Sequence, residues 1–197
     1  MAGSLPLGLA WDVEPAAWRM DGDALVVDAG ARTDNFIDPG GAVTALNGAR
    51  ALAVAPAGRW QFWARVSVEF RDDYDAGVLL LRSDDRHFAK LCLERSPRGE
   101  AMVVSVVTRD VSDDANAWVV DGDTVWLRIS QLAEHRYAFH ASAGGRRWDF
   151  VRHFTLAGDA PMRYGLSAQA PVGSGCTVTF ADLSWSPTAP ADLRDGS

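Results

Sequence analysis

Phe62-Trp63-Ala64-Arg65-Val66-Ser67-Val68-Glu69-Phe70 decides the fold. Phe62, Ala64, Val66, Val68 and Phe70 take every second position, and Trp63, Arg65, Ser67 and Glu69 fill the gaps. A period of two puts the first set on one face of an extended strand and the second set on the other, so one side is built for a core. Outward from this stretch, short alternating or apolar runs recur at 25–28, 51–55, 77–82, 88–94, 102–108, 124–131, 136–142, 148–155, 163–170 and 176–186. Turn-forming residues separate them: Asp21-Gly22-Asp23, Ser83-Asp84-Asp85, Ser96-Pro97-Arg98-Gly99, Asp121-Gly122-Asp123, Ala143-Gly144-Gly145 and Gly173-Ser174-Gly175. Helical periodicity is nearly absent, and parallel crossovers would need helices. The chain is therefore expected to be all-β, a two-sheet antiparallel sandwich. Residues 1–186 are expected to form one domain, with 187–197 a polar, frayed tail. Trp11 and Trp18, bracketing Glu14-Pro15, read as aromatic anchors under a loop or as a short edge element.

The 197 residues are 48% hydrophobic and 23% charged, a globular composition, and carry a formal net charge of -7. Nucleic-acid binding needs concentrated positive charge, and only isolated basic pairs such as Arg146-Arg147 occur, so that partner is excluded. No apolar run is long enough to span a membrane as a helix. Residues 1–11 lack a basic leader and contain Pro6, so no secretory signal is expected there and a cytoplasmic setting is. Cys92 and Cys176 are too few for a disulfide framework or, alone, a zinc site.

The polar faces of the strands suggest a ligand. In 88–94, Phe88, Lys90, Cys92 and Glu94 share one face and Ala89, Leu91 and Leu93 the other. Lys90 and Glu94 are about 13 Å apart along a strand, too far to pair, so each looks to neighbouring strands. Trp126, Arg128 and Ser130 likewise share a face, as do Gly165, Ser167 and Gln169. A concave sheet lined by rings, amides and charges suits a sugar: rings stack on its apolar faces, and planar polar groups bond vicinal hydroxyls. The candidates are Tyr74, Trp118, Trp126 and Trp148 with Lys90, Glu94, Arg128, Arg152 and Gln169.

Several segments, in order, resemble a known family: Thr33-Asp34-Asn35-Phe36, Tyr74-Asp75-Ala76-Gly77-Val78, 88–94, Ser105-Val106-Val107-Thr108 with Ser112-Asp113, Val125-Trp126-Leu127-Arg128, Ser142 with Trp148 and Arg152, and 165–171. Over residues 11–186 the chain is similar to the bacterial and fungal regulation-of-enolase-protein-like domains of unknown function, within the concanavalin A-like lectin/glucanase superfamily. The resemblance implies a jelly roll with a link to carbohydrates and no settled activity. Two departures stand out: His87-Phe88 precedes the lysine motif, and Asp114-Ala115 follow Ser112-Asp113 where an aromatic is common, with Trp118 further on.

Glycoside hydrolysis needs two carboxyl groups flanking a bond. The Glu-x-Asp-x-x-Glu run of the superfamily's glucanases does not occur, so an enzyme would have to pair Glu94 with Asp75 or Asp113 through folding. Cys92 and Cys176 lie among apolar neighbours and read as small hydrophobes. His87, His135, His140 and His153 show no metal-ligand spacing. Acidic turns at Asp72-Asp73-Asp75, Asp84-Asp85 and Asp110-Asp113-Asp114 leave calcium as the one cofactor to consider. Three functions follow: a carbohydrate-binding domain with no catalytic residues, a glycan-processing enzyme, or a regulatory protein-interaction domain.

Overall fold

The structure is a computed structural model, and it describes residues 4–197, so the first three residues of the expected domain lie outside it. Sixteen strands follow one short 3-10 turn: β1 Ala10–Val13, β2 Ala17–Asp21, β3 Ala24–Asp28, β4 Asn35–Ile37, β5 Thr44–Leu46, β6 Ala49–Val54, β7 Trp60–Glu69 and β8 Ala76–Arg82 in the first half, then β9 His87–Arg95, β10 Ala101–Arg109, β11 Val111–Val119, β12 Thr124–Ala133, β13 Arg136–Ser142, β14 Asp149–Thr155, β15 Arg163–Gln169 and β16 Thr177–Ser186. Two seven-stranded sheets pack face to face: β1-β6-β15-β8-β9-β10-β11, called the groove sheet below, and β14-β13-β12-β7-β16-β3-β2, the back sheet. Neighbours in both are antiparallel. No helix among the described residues is long and apolar enough to cross a membrane.

The alternation of β7 is realised residue for residue: Trp60, Phe62, Ala64, Val66 and Val68 are buried and the residues between them are not. These side chains meet Leu79, Leu81, Ala89, Leu91, Leu93, Val103 and Val107 of the groove sheet in one continuous core. Tyr164 ties the layers together, its ring centroid 5.2 Å from that of Trp60 and 5.0 Å from that of Phe62. Gly77 is required where the layers come closest, since a Cβ there would lie 2.5 Å from Val66 Cγ1 and 2.7 Å from Val178 Cγ1.

The opening segment takes the edge-element form that the sequence allowed, and three other features were not read from the sequence. The opening segment forms edge strands of both sheets, β1 and β2, and Trp11 and Trp18 pack together at 5.8 Å and against the core. Residues 111–119, of which Asp113 and Asp114 were expected in an acidic turn, form the edge strand β11, joined to β10 through Asp110 at a φ of 65°. A separate two-stranded hairpin, β4–β5, lies across the outer face of the groove sheet. It is fixed there by Asn35 Nδ2 donating to Ser167 Oγ, Ile37 N donating to Ser112 Oγ, and Arg50 Nη1 donating to Asn35 Oδ1 and Leu46 O.

The expected frayed tail is instead docked on the outer face of the back sheet. Arg59 Nη2 donates to Pro190 O at 3.0 Å, His140 Nε2 is 2.9 Å from Leu193 O, and Arg128 Nη2 donates to Gly196 O at 2.7 Å. Arg194 also lies over the Phe150 ring at 4.5 Å. Polar residues kept this segment out of the core, but side-chain donors on the sheet take up its backbone carbonyls.

Candidate functional site

Strand β9 puts Ala89, Leu91 and Leu93 into the core and Phe88, Lys90, Cys92 and Glu94 on the outer face. On either side, β8 and β15 add Ala76, Val78, Ser167 and Gln169 to that face, and β10 adds Met102, Val104 and Val106. The register sets Gln169, Ala76 and Glu94 in one cross-strand row. The β8 residues towards Gln169, Ala76 and Val78, are small, and Lys90 and Gln169 reach each other over the strand: Lys90 Nζ donates to Gln169 Oε1 at 3.2 Å.

The face becomes a groove because other segments rise around it. Phe36, Asp38, Ala42 and Val43 of the hairpin form one wall, Tyr74 and the Pro171-Val172 loop another, and Asp114 closes the β11 edge. The cavity holds about 430 Å³, within the range of small-molecule sites. Tyr74 is 41% exposed at its rim. Its φ of 66° is unfavourable for a non-glycine residue. Asp75 holds that turn: its Oδ2 accepts from the backbone N–H groups of Arg71 and Asp72 at 2.8 and 2.9 Å.

Lys90 is the buried charge of the site, 2% exposed. Its Nζ lies 2.9 Å from Asp34 Oδ1 and 5.7 Å from the Phe36 ring centroid. Burial works against the ammonium, but the carboxylates of Asp34 and Glu94 around it prevail, and its pKa is raised. Glu94 is pushed up to about 7, above all by burial, which Lys90 opposes and to which Asp34 and Asp114 add. The Gln169 amide has a fixed orientation. Lys90 can only donate, so the amide oxygen faces it and the Nε2 hydrogens are left to the groove. Gln169 is 1% exposed, and its Nε2 donates to none of the described residues.

Of the expected ligand residues, Tyr74, Lys90, Glu94 and Gln169 come together here. Arg128 does not. Its strand β12 pairs with β7 and β13, so it lies in the back sheet, where it stacks on Trp148 at 4.3 Å beneath the C-terminal segment. Burial lowers its pKa to about 10. Trp126 belongs to the same sheet, and its indole lies against Gly145. Arg152 pairs opposite Phe139, a core residue, and spans the seam between the sheets to Ser105 Oγ and Asp113. Trp118 pairs opposite Val103 and packs on the core rather than taking the place of a groove aromatic.

The expected carboxylate partners of Glu94 are also displaced. Asp75 is fully buried within its turn, with burial the main cause of its raised pKa. Asp113 points to Arg152, with Oδ1 3.0 Å from its Nη2. Its neighbour Asp114 faces the groove instead, as the period of two demands. Asp34, Phe36, Asp38 and Asp114 are site residues that the strand patterns did not reveal. Thr33-Asp34-Asn35-Phe36 was a signal, but nothing in its composition tied it to a sheet face. Burial raises the Cys92 thiol far above its ordinary range, so it is no nucleophile. Among the described residues, no three His, Cys, Asp or Glu side chains gather as a metal site.

Residues 11–188 match the family described as protein of unknown function, DUF1349. The chain belongs to that family. Over 128 residues it is 32% identical to "Regulation of enolase protein 1" of Saccharomyces cerevisiae, a match spanning 64% of this chain and 62% of the relative, under two thirds of the relative's length. A functionally unknown protein from Saccharomyces cerevisiae superimposes with a TM-score of 0.80 at 23% identity, covering 90% of this chain and 95% of the other. Carbohydrate binding module CBM66 from Bacillus subtilis gives a TM-score of 0.56 at 12% identity, covering 89% and 94%. At these identities the structural likenesses show the fold alone, a concanavalin A-like β-sandwich.

Proposed function

We propose that this DUF1349 domain binds a carbohydrate, or a related small polyhydroxylated ligand, in the groove formed by the outer face of β8, β9, β10 and β15. The observation that carries this reading is the Gln169 amide, locked by Lys90 so that unpartnered N–H groups point into the half-enclosed groove. A vicinal diol needs donors and acceptors side by side. Gln169 and Lys90 supply the donors, and Glu94 and Asp114 the acceptors. Val104, Val106, Phe36 and Tyr74 supply the apolar surfaces that a sugar's C–H faces require. The fold shared with a carbohydrate binding module is consistent with this use of the sheet. Isothermal titration of the domain and of Gln169→Leu against a panel of mono- and oligosaccharides tests it. The expectation is binding by the unaltered chain and a loss of about tenfold or more in the variant. Absence of any sugar binding overturns it, as does equal affinity in Gln169→Leu.

One observation favours a second reading, glycan processing. A carboxyl pushed up to about 7, as Glu94 is, keeps a proton available near neutrality, and Asp114 shares its groove. Release of reducing ends from an oligosaccharide by the chain, abolished in Glu94→Gln, would select that reading over simple binding.

A further inference from the structure

Charge in the groove is strongly unbalanced. Asp34, Asp38, Glu94 and Asp114 line it, against the single ammonium of Lys90. That ammonium is already committed, to Asp34 at 2.9 Å and to Gln169 at 3.2 Å. Asp38 takes the backbone N–H of Ala42 through Oδ2. Glu94 and Asp114 accept no hydrogen bond and form no ion pair with any described residue. Buried near Asp34 and Asp114, the Glu94 carboxyl ionises at more than the ordinary cost even with Lys90 in the same groove. The walls beside them carry the Phe36 and Tyr74 rings, whose faces attract cations.

We propose, building on the carbohydrate reading above, that the groove's ligand carries a positive charge: an amino sugar or another hydroxylated amine, rather than a neutral or acidic sugar. The cation sits between Glu94 and Asp114, and the hydroxyls meet Gln169 Nε2 and the remaining N–H of Lys90. An acidic sugar would bring a fifth carboxylate into this space. Burial is the main cause of the raised pKa of Glu94, with Asp34 and Asp114 adding to it against Lys90, so a second cation beside it favours its ionisation. The ionisable groups facing Glu94 are Lys90 and Cys92 on its own strand, Asp34 and Asp38 from the hairpin side, Asp114 from β11 and Tyr74 from the rim. A bound cation therefore helps Glu94 lose its proton, and affinity for a permanently charged cation rises with pH through about 7.

The test is calorimetric titration at pH 7 with glucosamine, glucose, glucuronate and choline, on the chain and on Glu94→Gln and Asp114→Asn. Glucosamine is expected to bind at least about tenfold tighter than glucose, the margin between charge-assisted and neutral hydrogen bonding. Glucuronate is expected to bind weakest, and either variant should shrink the preference for glucosamine. Asp114 is on an exposed edge strand, so Asp114→Asn keeps the test open where Glu94→Gln disturbs folding. Equal affinity for glucose and glucosamine, or tighter glucuronate binding, overturns the charge assignment and leaves the sugar reading standing. Choline binding without any sugar binding supports the charge assignment and overturns the sugar reading. If none of the four binds, both are overturned.

Discussion

Lys90→Met is the most informative single change in this molecule. Methionine keeps an unbranched buried stem and removes only the ammonium that lies over the Phe36 ring. What remains is Asp34 without its cation and a Gln169 oxygen without its donor. Removing one partner of a buried ion pair costs about 3–5 kcal/mol, because the other charge stays behind unpaired. Lys90 is 2% exposed but the Asp34 side chain is 17% exposed, so some water reaches the stranded carboxylate and the lower end of that range applies. We expect a loss of about 3 kcal/mol, or about 6–12 °C in Tm for a chain of this size. In Asp34→Asn/Lys90→Met neither charge is left, and most of the loss should return, to within about 1 kcal/mol of the original chain. Urea unfolding at pH 7, followed by tryptophan fluorescence with Trp60 in the core, measures both variants. A Lys90→Met cost under about 1 kcal/mol, the value of an exposed pair, would refute the reasoning. A double variant no more stable than the single would refute it as well.

Other perturbations reach different parts of the structure. Glu94 has a folded pKa of about 7 against 4.5 for the free group, so the native state holds its proton more tightly. The associated stability is present below pH 4.5, declines as pH rises to about 7 and is absent above; Glu94→Gln should flatten that decline, worth at most roughly 3 kcal/mol, in unfolding curves across pH. His140 behaves oppositely: burial first, then Arg128, lowers it to about 4 against the Leu193 hydrogen bond, so its contribution is full above pH 6.5 and is lost as pH falls towards 4. Amide exchange in 190–197 should accelerate over that interval, and His140→Gln should abolish the pH dependence. Gly77→Ala forces a methyl between Val66 and Val178 and should cost about 1–3 kcal/mol in a urea titration. Tyr74→Gly relieves a left-handed φ while adding freedom to the unfolded chain, two effects of about 1 kcal/mol each. Stability should thus hold, whereas sugar affinity measured by calorimetry should fall about three- to tenfold with the ring.

Strand patterns made the sandwich legible because a period of two writes burial directly into sequence, as β7 and β9 show residue by residue. The same pattern says which face a residue takes but not which sheet its strand joins. That is why Arg128 and Gln169 looked equivalent and lie on opposite outer surfaces of the sandwich. Strand β11 escaped notice because Ser112-Asp113-Asp114-Ala115-Asn116 has loop composition: an edge strand needs one row of hydrogen bonds and little burial. The β4–β5 hairpin was invisible for a related reason. Its position comes from Arg50, Asn35 and Ser167, which are joined across long sequence separations.

The two sheets offer a physical contrast that locates function on one of them. Both outer faces carry buried polar side chains, an expensive arrangement unless partners are found. On the back sheet the chain supplies partners itself: carbonyls of Leu193 and Gly196 cover His140 and Arg128, and the atoms left over, His140 Nδ1, Arg128 Nε and Ser130 Oγ, are sealed from solvent. On the groove sheet the β4–β5 hairpin stops short of closure. Asp34 satisfies Lys90 from one side, while the Gln169 amide and the carboxyls of Glu94 and Asp114 are left facing open volume. A segment docked as tightly there as residues 187–197 are on the back sheet would remove the cost of those groups and raise stability. The chain instead keeps donors, acceptors and aromatic walls around a hollow of about 430 Å³. Maintaining unmet polar capacity at a stability cost is expected of a surface shaped for a ligand.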